Sequence, residues 1–448
     1  MNPELFGTDG IRGPAGQFPI DEAGAWRFGL ATARQMAGSG GPIYLGRDTR
    51  PSGPALSAAL AEGIQAAGCD VVDLGVVPTP AVAQQLVAHG GAAGVALSAS
   101  HNAAPENGFK LFGPGGQKVT EACESAIEAL FWANEPVGPV RGRLSTRPQA
   151  ADEYVDFAVG TLPAGLSLAG LKVAVDCGHG ATAYTTPAAL AKLGVDVVTV
   201  NADDQGELIN AGCGSQHPGT VRELADRCGA PLGLAHDGDG DRVVFVDELR
   251  STVDGDRIIG LTAQAMARRG ELAGGAVVGT VLTNIGLELW LREQGIALHR
   301  SRVGDRNVWL KMLELGAVIG GEPSGHLIFR RLLSTDDALL TALQLLAVVA
   351  ESGRPLCELA QQVTLVPQAV KNVRVLAKPE LEGLSPVSEA ITAGRALLNG
   401  HGRLIVRYSG TENLARIMAE GPDAGLLGQV VGFVETAFSV AGLASVAA

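Results

Sequence analysis

The chain repeats one pattern of hydrophobic and polar positions: a short β-branched run, a glycine-rich turn, and then a stretch with helical spacing. Alternation of this kind predicts βαβ units and mostly parallel sheets. The predicted strands are Pro42–Leu45, Gly94–Leu97, Leu171–Val175, Val195–Val200, Leu232–Ala235, Ala276–Val278 and Ala317–Ile319. Ligands of such sheets bind in loops beyond the carboxyl ends of the strands, which is where chemistry is expected.

Polar and proline-rich breaks divide this pattern into four predicted domains. Residues 134–148 read as a linker, 247–255 as a polar break, and 351–367 as the approach to a last α+β segment. We predict three α/β domains over 1–147, 148–250 and 251–366, followed by a smaller C-terminal α+β domain over 367–448.

Composition narrows the class of protein. Of 448 residues, 46% are hydrophobic and 18% charged, which is typical of a globular chain. The net charge of −13 argues against nucleic-acid binding and requires any phosphate site to be locally basic. The six cysteines include no C-x-x-C pair, the first 16 residues do not resemble a signal peptide, and no apolar run could span a bilayer. We therefore expect a cytoplasmic protein with neither nucleic-acid nor membrane partners.

Ser100 stands just beyond a predicted strand, in a polar turn that we expect to precede a helix. A serine there can expose its Oγ within a ring of backbone N–H groups able to hold a phosphate. Glycine is absent two residues either side, so this is not the nucleophile elbow of α/β-hydrolases. An ordinary helix cap or turn serine stays open as an alternative, and so does a surface role for Lys110.

Asp237, Asp239 and Asp241 alternate with glycines directly after the strand Leu232–Ala235. Three converging carboxylates repel one another and favour a hard divalent cation, and Mg²⁺ suits a site with open positions. The alternatives are a solvated acidic turn and an EF-hand loop ending at Glu248. The EF-hand reading is weak because its sixth position is Arg242 rather than glycine, and because strands flank the loop.

Two more strands run into polar loops. Glu322 and Ser324 lie two residues apart on an extended segment, so both side chains can point at paired sugar hydroxyls; a helix capped by Ser324 is the alternative. Later, Arg407 leads into a turn that contains Ser409, Gly410 and Thr411. Hydroxyls, backbone N–H groups and an arginine can form a phosphate-binding loop, or an ordinary turn.

Two glycine-rich segments give weaker signals. Arg12 lies in the opening loop, where an arginine is usually a surface residue. Gly178-x-Gly180-x-x-Ala183 follows a strand and resembles a dinucleotide-binding turn. The acidic residue expected about 20 residues later is missing, since the next predicted strand ends in Asn201.

Taken together and in this order, the loops resemble the α-D-phosphohexomutase superfamily over essentially the whole chain. The superfamily fold implies three α/β domains and a smaller C-terminal domain around a central cleft. Four further segments are most similar to bacterial members that act on glucosamine phosphates; they are Gly7–Gly13, Gly46–Arg50, Ile209–His217 and Val303–Arg306. The resemblance implies interconversion of glucosamine 6-phosphate and glucosamine 1-phosphate.

The resemblance also assigns roles to residues. Ser100 becomes a phosphoserine that binds one Mg²⁺ together with Asp237, Asp239 and Asp241. Lys110 and Arg12 assist proton transfer and transition-state charge, and His101 and Arg242 complete the catalytic set. The expected substrate ligands are Glu322, Ser324, His326, Arg407, Ser409, Gly410, Thr411 and Arg416. Glucosamine 1,6-bisphosphate is the implied intermediate, a small sugar phosphate the partner, and a homodimer the family-level expectation.

Three residues depart from the family pattern. Ala103 and Asn413 replace prolines, which loosens the backbone near the serine and the phosphate loop, and Pro323 stiffens the sugar loop. The same chemistry on glucose or mannose phosphates, a non-catalytic metal-binding protein and a nicotinamide-dependent oxidoreductase are the rival functions.

Overall fold

A computed structural model describes residues 4–7, 9–133, 138, 141–203, 205–400, 402–409 and 413–444. The chain forms two compact units. The larger comprises residues 1–282 and 295–362, and the smaller comprises residues 283–294 and 363–448. Short 3-10 turns occur at Ala37–Ser39, Gly206–Leu208, Ala273–Gly275 and Leu381–Gly383.

The first part of the larger unit is built on a six-stranded sheet. Its elements are β1 (Ile11–Pro14), α1 (Glu22–Met36), β2 (Ile43–Arg47), α2 (Gly53–Ala66), β3 (Val71–Val76), α3 (Thr79–His89), β4 (Ala93–Leu97), β5 (Glu106–Phe112), α4 (Glu121–Ala133) and β6 (Leu144–Thr146). The strand order is β1-β5-β4-β2-β3-β6, parallel from β4 to β6 and antiparallel from β1 to β4. Phe28 and Phe109 stack at 5.1 Å in the core between sheet and helices.

A second sheet has five strands. Its elements are α5 (Ala150–Val159), β7 (Lys172–Asp176), α6 (Thr182–Lys192), β8 (Asp196–Val200), α7 (Gly219–Cys228), β9 (Leu232–His236), β10 (Val243–Val246) and β11 (Thr252–Val253). The order is β11-β10-β9-β7-β8, and β9 and β10 form an antiparallel hairpin. Every residue of both hairpin strands is buried, so the loop that joins them starts from a fixed base.

The third sheet completes the larger unit. The elements that follow are α8 (Gly255–Arg268), β12 (Ala276–Thr280), α9 (Ile285–Glu293), β13 (Ala297–Ser301), α10 (Asp305–Leu315), β14 (Ile319–Gly321), β15 (Leu327–Phe329), α11 (Ala338–Ser352) and α12 (Leu356–Gln362). The sheet order is β13-β12-β14-β15, with β14 and β15 antiparallel. Asp337 caps α11 by accepting the Leu340 N–H at 2.9 Å.

Helix α9 belongs to the smaller unit, whose other elements are β16 (Gln368–Arg374), α13 (Ser385–Leu398), β17 (Arg403–Tyr408), β18 (Leu414–Glu420) and α14 (Ala424–Val440). Its three strands are antiparallel in the order β16-β18-β17. The α+β character predicted for the last segment is confirmed.

Each strand predicted in the three α/β sheets exists within one or two residues of its expected position, and the α/β fold class is confirmed. Among the described residues no single helix is long and apolar enough to cross a membrane; α11 and α12 together meet the length and composition test but are bent by 99°.

Candidate active site

Ser100 and Lys110 are carried by one hairpin of the first sheet. β4 and β5 are antiparallel neighbours, with Ala96 opposite Lys110. The helix expected after Ser100 is therefore wrong, because Glu106–Phe112 pairs as a strand with both β4 and β1. The turn between the two strands carries Ser100 toward the aspartate loop.

Ser100 lies where this turn packs against the aspartate loop, residues 237–242. Its Oγ donates to Asp237 Oδ2 at 2.6 Å and lies 3.4 Å from His101 Nδ1. Its backbone N–H donates to Ser98 Oγ at 2.8 Å. The expected exposure of the hydroxyl is wrong, since the aspartate loop packs over the turn and leaves Ser100 fully buried.

The aspartate loop joins β9 to β10, so both ends of it are held by a buried hairpin. Gly240 adopts φ +72°, a left-handed conformation that glycine permits without strain. Oxygen atoms of Asp237, Asp239 and Asp241 all lie within 4.8 Å of one another. Thr79 Oγ1 donates to Asp239 Oδ2 at 2.6 Å and fixes one of the three carboxylates.

This trio fits a divalent cation. Burial, followed by the negative charges of Asp241 and Asp239, raises the pKa of Asp237 well above its usual range, and a cation beside the trio would offset both effects. In the described part of the chain the buried Asp239 Oδ1 has no hydrogen-bond partner. Hard carboxylate oxygens and an unsatisfied buried acceptor are what Mg²⁺ would satisfy.

Two competing interpretations of the sequence do not hold. Glu248, the last ligand of an EF-hand, accepts instead from the backbone N–H groups of Leu356 (2.9 Å) and Cys357 (2.8 Å) at the start of α12. The Gly178–Ala183 turn cannot receive a pyrophosphate through its own amides, because those of residues 178, 179, 180 and 181 already donate within the protein.

Lys110 supplies positive charge to the trio. Its Nζ lies 2.5 Å from Asp241 Oδ2, 2.8 Å from Asp239 Oδ2 and 3.3 Å from Asp9 Oδ2. Burial disfavours the ammonium, but the three carboxylates outweigh it and raise the pKa of Lys110 well above its usual range. The surface-lysine alternative is excluded, since the side chain is 1% exposed.

The other predicted catalytic groups surround this centre. Arg12 Nη2 donates to Asp9 Oδ2 at 2.5 Å. Burial, Arg242 and Arg12 lower the pKa of His101 to about 3, so its imidazole is neutral at neutral pH. Arg242 Nε donates to His326 Nε2 at 2.6 Å.

The predicted sugar loop lies between β14 and β15, so the helix-cap alternative for Ser324 is wrong. Glu322 is nearly buried, accepts the Gly304 N–H at 2.9 Å and lies 3.2 Å from His326 Nδ1, whereas Ser324 is exposed. A Cβ on Gly325 would lie 2.2 Å from the Val243 carbonyl oxygen, because the loop pairs closely with the start of β10. This pairing brings His326 Nε2 to 3.0 Å from Asp241 Oδ1.

In the smaller unit, β17 and β18 place Arg407 directly opposite Arg416. Two guanidinium groups side by side give this strand pair the positive charge expected of a phosphate loop. Ser409 is buried, and its carbonyl oxygen accepts from Lys378 Nζ at 2.8 Å. The predicted ligands Gly410 and Thr411 lie outside the described residues.

Several residues of the site were not predicted. Asp9 and Lys118 form an ion pair, and Lys118 Nζ lies 2.7 Å from Asp305 Oδ2. Asp336 lies 3.5 Å from His326. Asp9 lies in the opening segment Gly7–Gly13, from which only Arg12 was predicted, and Asp305 lies in Val303–Arg306, from which no site residue was predicted. Lys118, Asp336 and Lys378 had no local signal.

The chain matches all four domains of one family: the phosphoglucomutase/phosphomannomutase alpha/beta/alpha domains I (residues 3–137), II (152–250) and III (254–365) and the C-terminal domain (368–437). It therefore belongs to the phosphoglucomutase/phosphomannomutase family. Together with the relatives below, this membership makes it an isomerase of the phosphotransferase class.

Within the family, the chain is similar to proteins named phosphoglucosamine mutase. That of Desulforamulus reducens is 46% identical over 96% of this chain and 97% of its own length. That of Symbiobacterium thermophilum is 44% identical over 94% and 95%. A crystal structure of a phosphoglucomutase/phosphomannomutase family protein from Burkholderia thailandensis covers 99% of this chain and 100% of its own, at TM-score 0.83 and 25% identity.

A more distant structure shares the fold. The N-acetylphosphoglucosamine mutase of Aspergillus fumigatus, solved in complex with GlcNAc-6P and magnesium, covers 98% of this chain and 96% of its own, at TM-score 0.69 and 18% identity.

Proposed function

We propose that the protein interconverts glucosamine 6-phosphate and glucosamine 1-phosphate through a phosphoserine at Ser100. The observation that carries this proposal is the 2.6 Å contact between Ser100 Oγ and Asp237, inside a trio of carboxylates suited to a divalent cation. The names of the full-length relatives support the choice of sugar.

The reaction consists of two phosphoryl transfers. In the first, the bond between phosphorus and Ser100 Oγ breaks, a bond to O1 of glucosamine 6-phosphate forms, the O1 proton passes to a base, and Oγ takes up a proton. The resulting glucosamine 1,6-bisphosphate then reorients in the site. In the second transfer the bond between phosphorus and O6 breaks, a bond to Ser100 Oγ forms with loss of the Oγ proton to a base, O6 takes up a proton, and glucosamine 1-phosphate leaves.

The groups around Ser100 divide this work. Asp237, Asp239 and Asp241 would hold Mg²⁺, which would offset charge on the transferring group. Lys110, kept protonated by its carboxylate neighbours, donates to a developing oxyanion. Neutral His101, with Nδ1 3.4 Å from Ser100 Oγ, can hydrogen-bond to the serine oxygen, but its lowered pKa makes it too weak a base to remove the proton of the attacking hydroxyl. Arg12 and Arg242 add positive charge around the same point.

Binding uses the remaining predicted residues. Glu322, Ser324 and His326 hold sugar hydroxyls. Positive charge from Arg407 and Arg416, with the predicted ligands Ser409, Gly410 and Thr411, holds the phosphate that is not reacting. Because Ser100 is buried with its Oγ 2.6 Å from Asp237 Oδ2, a phosphoryl group on that oxygen must displace this contact.

The test is conversion of glucosamine 6-phosphate with Mg²⁺ by wild type, Ser100→Ala and the exposed control Ser352→Ala. Wild type and control should be active, and Ser100→Ala should lose at least about 10³-fold in kcat. Intact mass should show one phosphoryl group in wild type that Ser100→Ala lacks. Parallel assays with glucose and mannose 6-phosphates test the sugar. Equal activity of wild type and Ser100→Ala would overturn the proposal.

A further inference from the structure

The turn after β4 has a backbone conformation that its sequence does not favour. Ser100 adopts φ +51°, in the left-handed region where a residue other than glycine is strained by about 1–2 kcal/mol. Such a conformation persists only where the surroundings impose it. The contacts around the turn must therefore hold Ser100 in place.

Arg50 provides most of this support. The side chain is fully buried, and a guanidinium has five N–H donors in a rigid planar fork. All five find protein acceptors: Asp48 Oδ2 (2.9 Å), Ala103 O (2.5 Å), Glu106 O (2.7 Å), Ser100 O (3.0 Å) and Asn102 O (2.7 Å). Four of the five are carbonyl oxygens of the seven-residue segment that begins at Ser100.

Asp48 links Arg50 to the amide side of the same turn. Its Oδ2 accepts from Arg50 Nε and also from Ser98 Oγ at 2.6 Å. Ser98 Oγ in turn accepts the Ser100 N–H at 2.8 Å. The peptide groups on both sides of Ser100 are thus tied to one buried ion pair.

Asn210 braces the turn from the second sheet's side. Its Nδ2 donates to Ser100 O at 2.9 Å and to Asn102 O at 3.1 Å, so it shares two acceptors with Arg50. Its own N–H donates to Gly178 O at 3.0 Å, in the turn that contacts the aspartate loop. The contacts of Arg50, Asp48 and Asn210 with the turn, called the brace below, therefore fix the serine turn relative to the three aspartates.

We propose that Arg50 and Asn210 are positioning residues for phosphoryl transfer, which hold the carbonyls of the Ser100 turn so that Oγ stays beside the three aspartates. This inference rests on the proposed function.

The experiment compares Arg50→Lys and Asn210→Ala with Arg47→Lys, a matched control. Arg47 lies three residues from Arg50 and pairs with Asp73 at 3.4 Å, away from the turn. A lysine has three donors and no planar fork, so it cannot restore the contacts of Arg50. Both test variants should lose on the order of 10–100-fold in kcat, with KM for glucosamine 6-phosphate nearly unchanged, and Arg47→Lys should match wild type.

Hydrogen exchange gives a second readout that needs no activity. Amides of residues 98–106 should exchange faster in both test variants, while those of the smaller unit stay unchanged. If wild type does not act on glucosamine 6-phosphate, the proposed function fails but exchange still tests the brace. If wild type is active and Asn210→Ala keeps its kcat and exchange pattern, the inference is overturned, even where Arg50→Lys fails to fold.

Discussion

Lys110 Nζ lies 2.5 Å from Asp241 Oδ2, so an ammonium carried by the first sheet sits against a carboxylate carried by the second. The same nitrogen is 2.8 Å from Asp239. A group held this way neutralises part of the charge to which a cation would bind, and in the proposed mechanism it also donates to the reacting phosphoryl group. Two opposite effects follow from its removal.

Replacing Lys110 with methionine should strengthen Mg²⁺ binding and weaken catalysis. Binding tightens because a repelling charge leaves the trio, and kcat falls by about 10²-fold because a preorganised donor is lost. Calorimetric titration with Mg²⁺ and steady-state kinetics measure the two effects. Lys192→Met, at an exposed ion pair with Asp156, is the control. Weaker Mg²⁺ binding in Lys110→Met would contradict this account.

Lys118→Ala should be strongly destabilising. Lys118 is nearly buried between Asp9 and Asp305, and its loss removes the cation beside Asp305 and one of the three cations around Asp9. Breaking a buried pair in this way costs about 3–5 kcal/mol in the free energy of unfolding. Denaturant unfolding measures the change, with Lys311→Ala, whose partner is the exposed Glu314, expected within about 0.5 kcal/mol of wild type. A small effect at Lys118 would mean that this ion pair does not hold the fold.

Asp337 should make stability fall as pH rises from about 4 to 7. Burial raises its folded-state pKa to about 7, against the hydrogen bonds from Leu340 and Tyr154. Between these pH values the Asp337 carboxyl ionises only in the unfolded state, so the free energy of unfolding falls by up to about 1.4 kcal/mol per pH unit. The effect levels off above pH 7. Denaturant unfolding should give a flatter pH profile for Asp337→Asn. Asp423→Asn, at an exposed helix cap, should keep the wild-type slope, and an unchanged slope in Asp337→Asn would refute the assignment.

Arg407→Ala should raise KM for the sugar phosphate with little change in kcat. Arg407 is opposite Arg416 in the strand register, so its loss removes positive charge from the proposed phosphate loop. A charge-assisted hydrogen bond is worth about 1.5–3 kcal/mol, which corresponds to roughly a 10–100-fold change in KM. The exposed Arg395→Ala on α13 should behave as wild type. A loss confined to kcat would assign Arg407 to the chemistry instead.

Much of this arrangement could be predicted because the decisive segments carry their own local signals. A buried strand followed by alternating aspartates and glycines indicates a metal loop before any contact is known. In the structure, the loop of the β9–β10 hairpin does bring the three carboxylates within 4.8 Å of one another. The strand β5 was missed because Asn107 and Gly108 are typical of turns, and pairing with two neighbouring strands overrides that preference.

What could not be predicted depends on contacts between distant segments. The burial of Ser100 results from packing of the aspartate loop against it, 137 positions later in the chain. The support from Arg50 is equally non-local, since four of its five acceptors lie 50 to 56 positions away. No periodicity or spacing within a single segment reports on such partners.

The β4–β5 hairpin places the acceptor serine and its attendant ammonium on one continuous stretch, whereas every carboxylate of the trio comes from another sheet. A chain in which the first and second sheets had not packed together would contain all the necessary groups. It could nevertheless not hold a phosphate on Ser100 beside a cation. Under the proposed chemistry, phosphorylation of Ser100 therefore also reports that the two sheets have packed together correctly. A measurement of intact mass is enough to detect it.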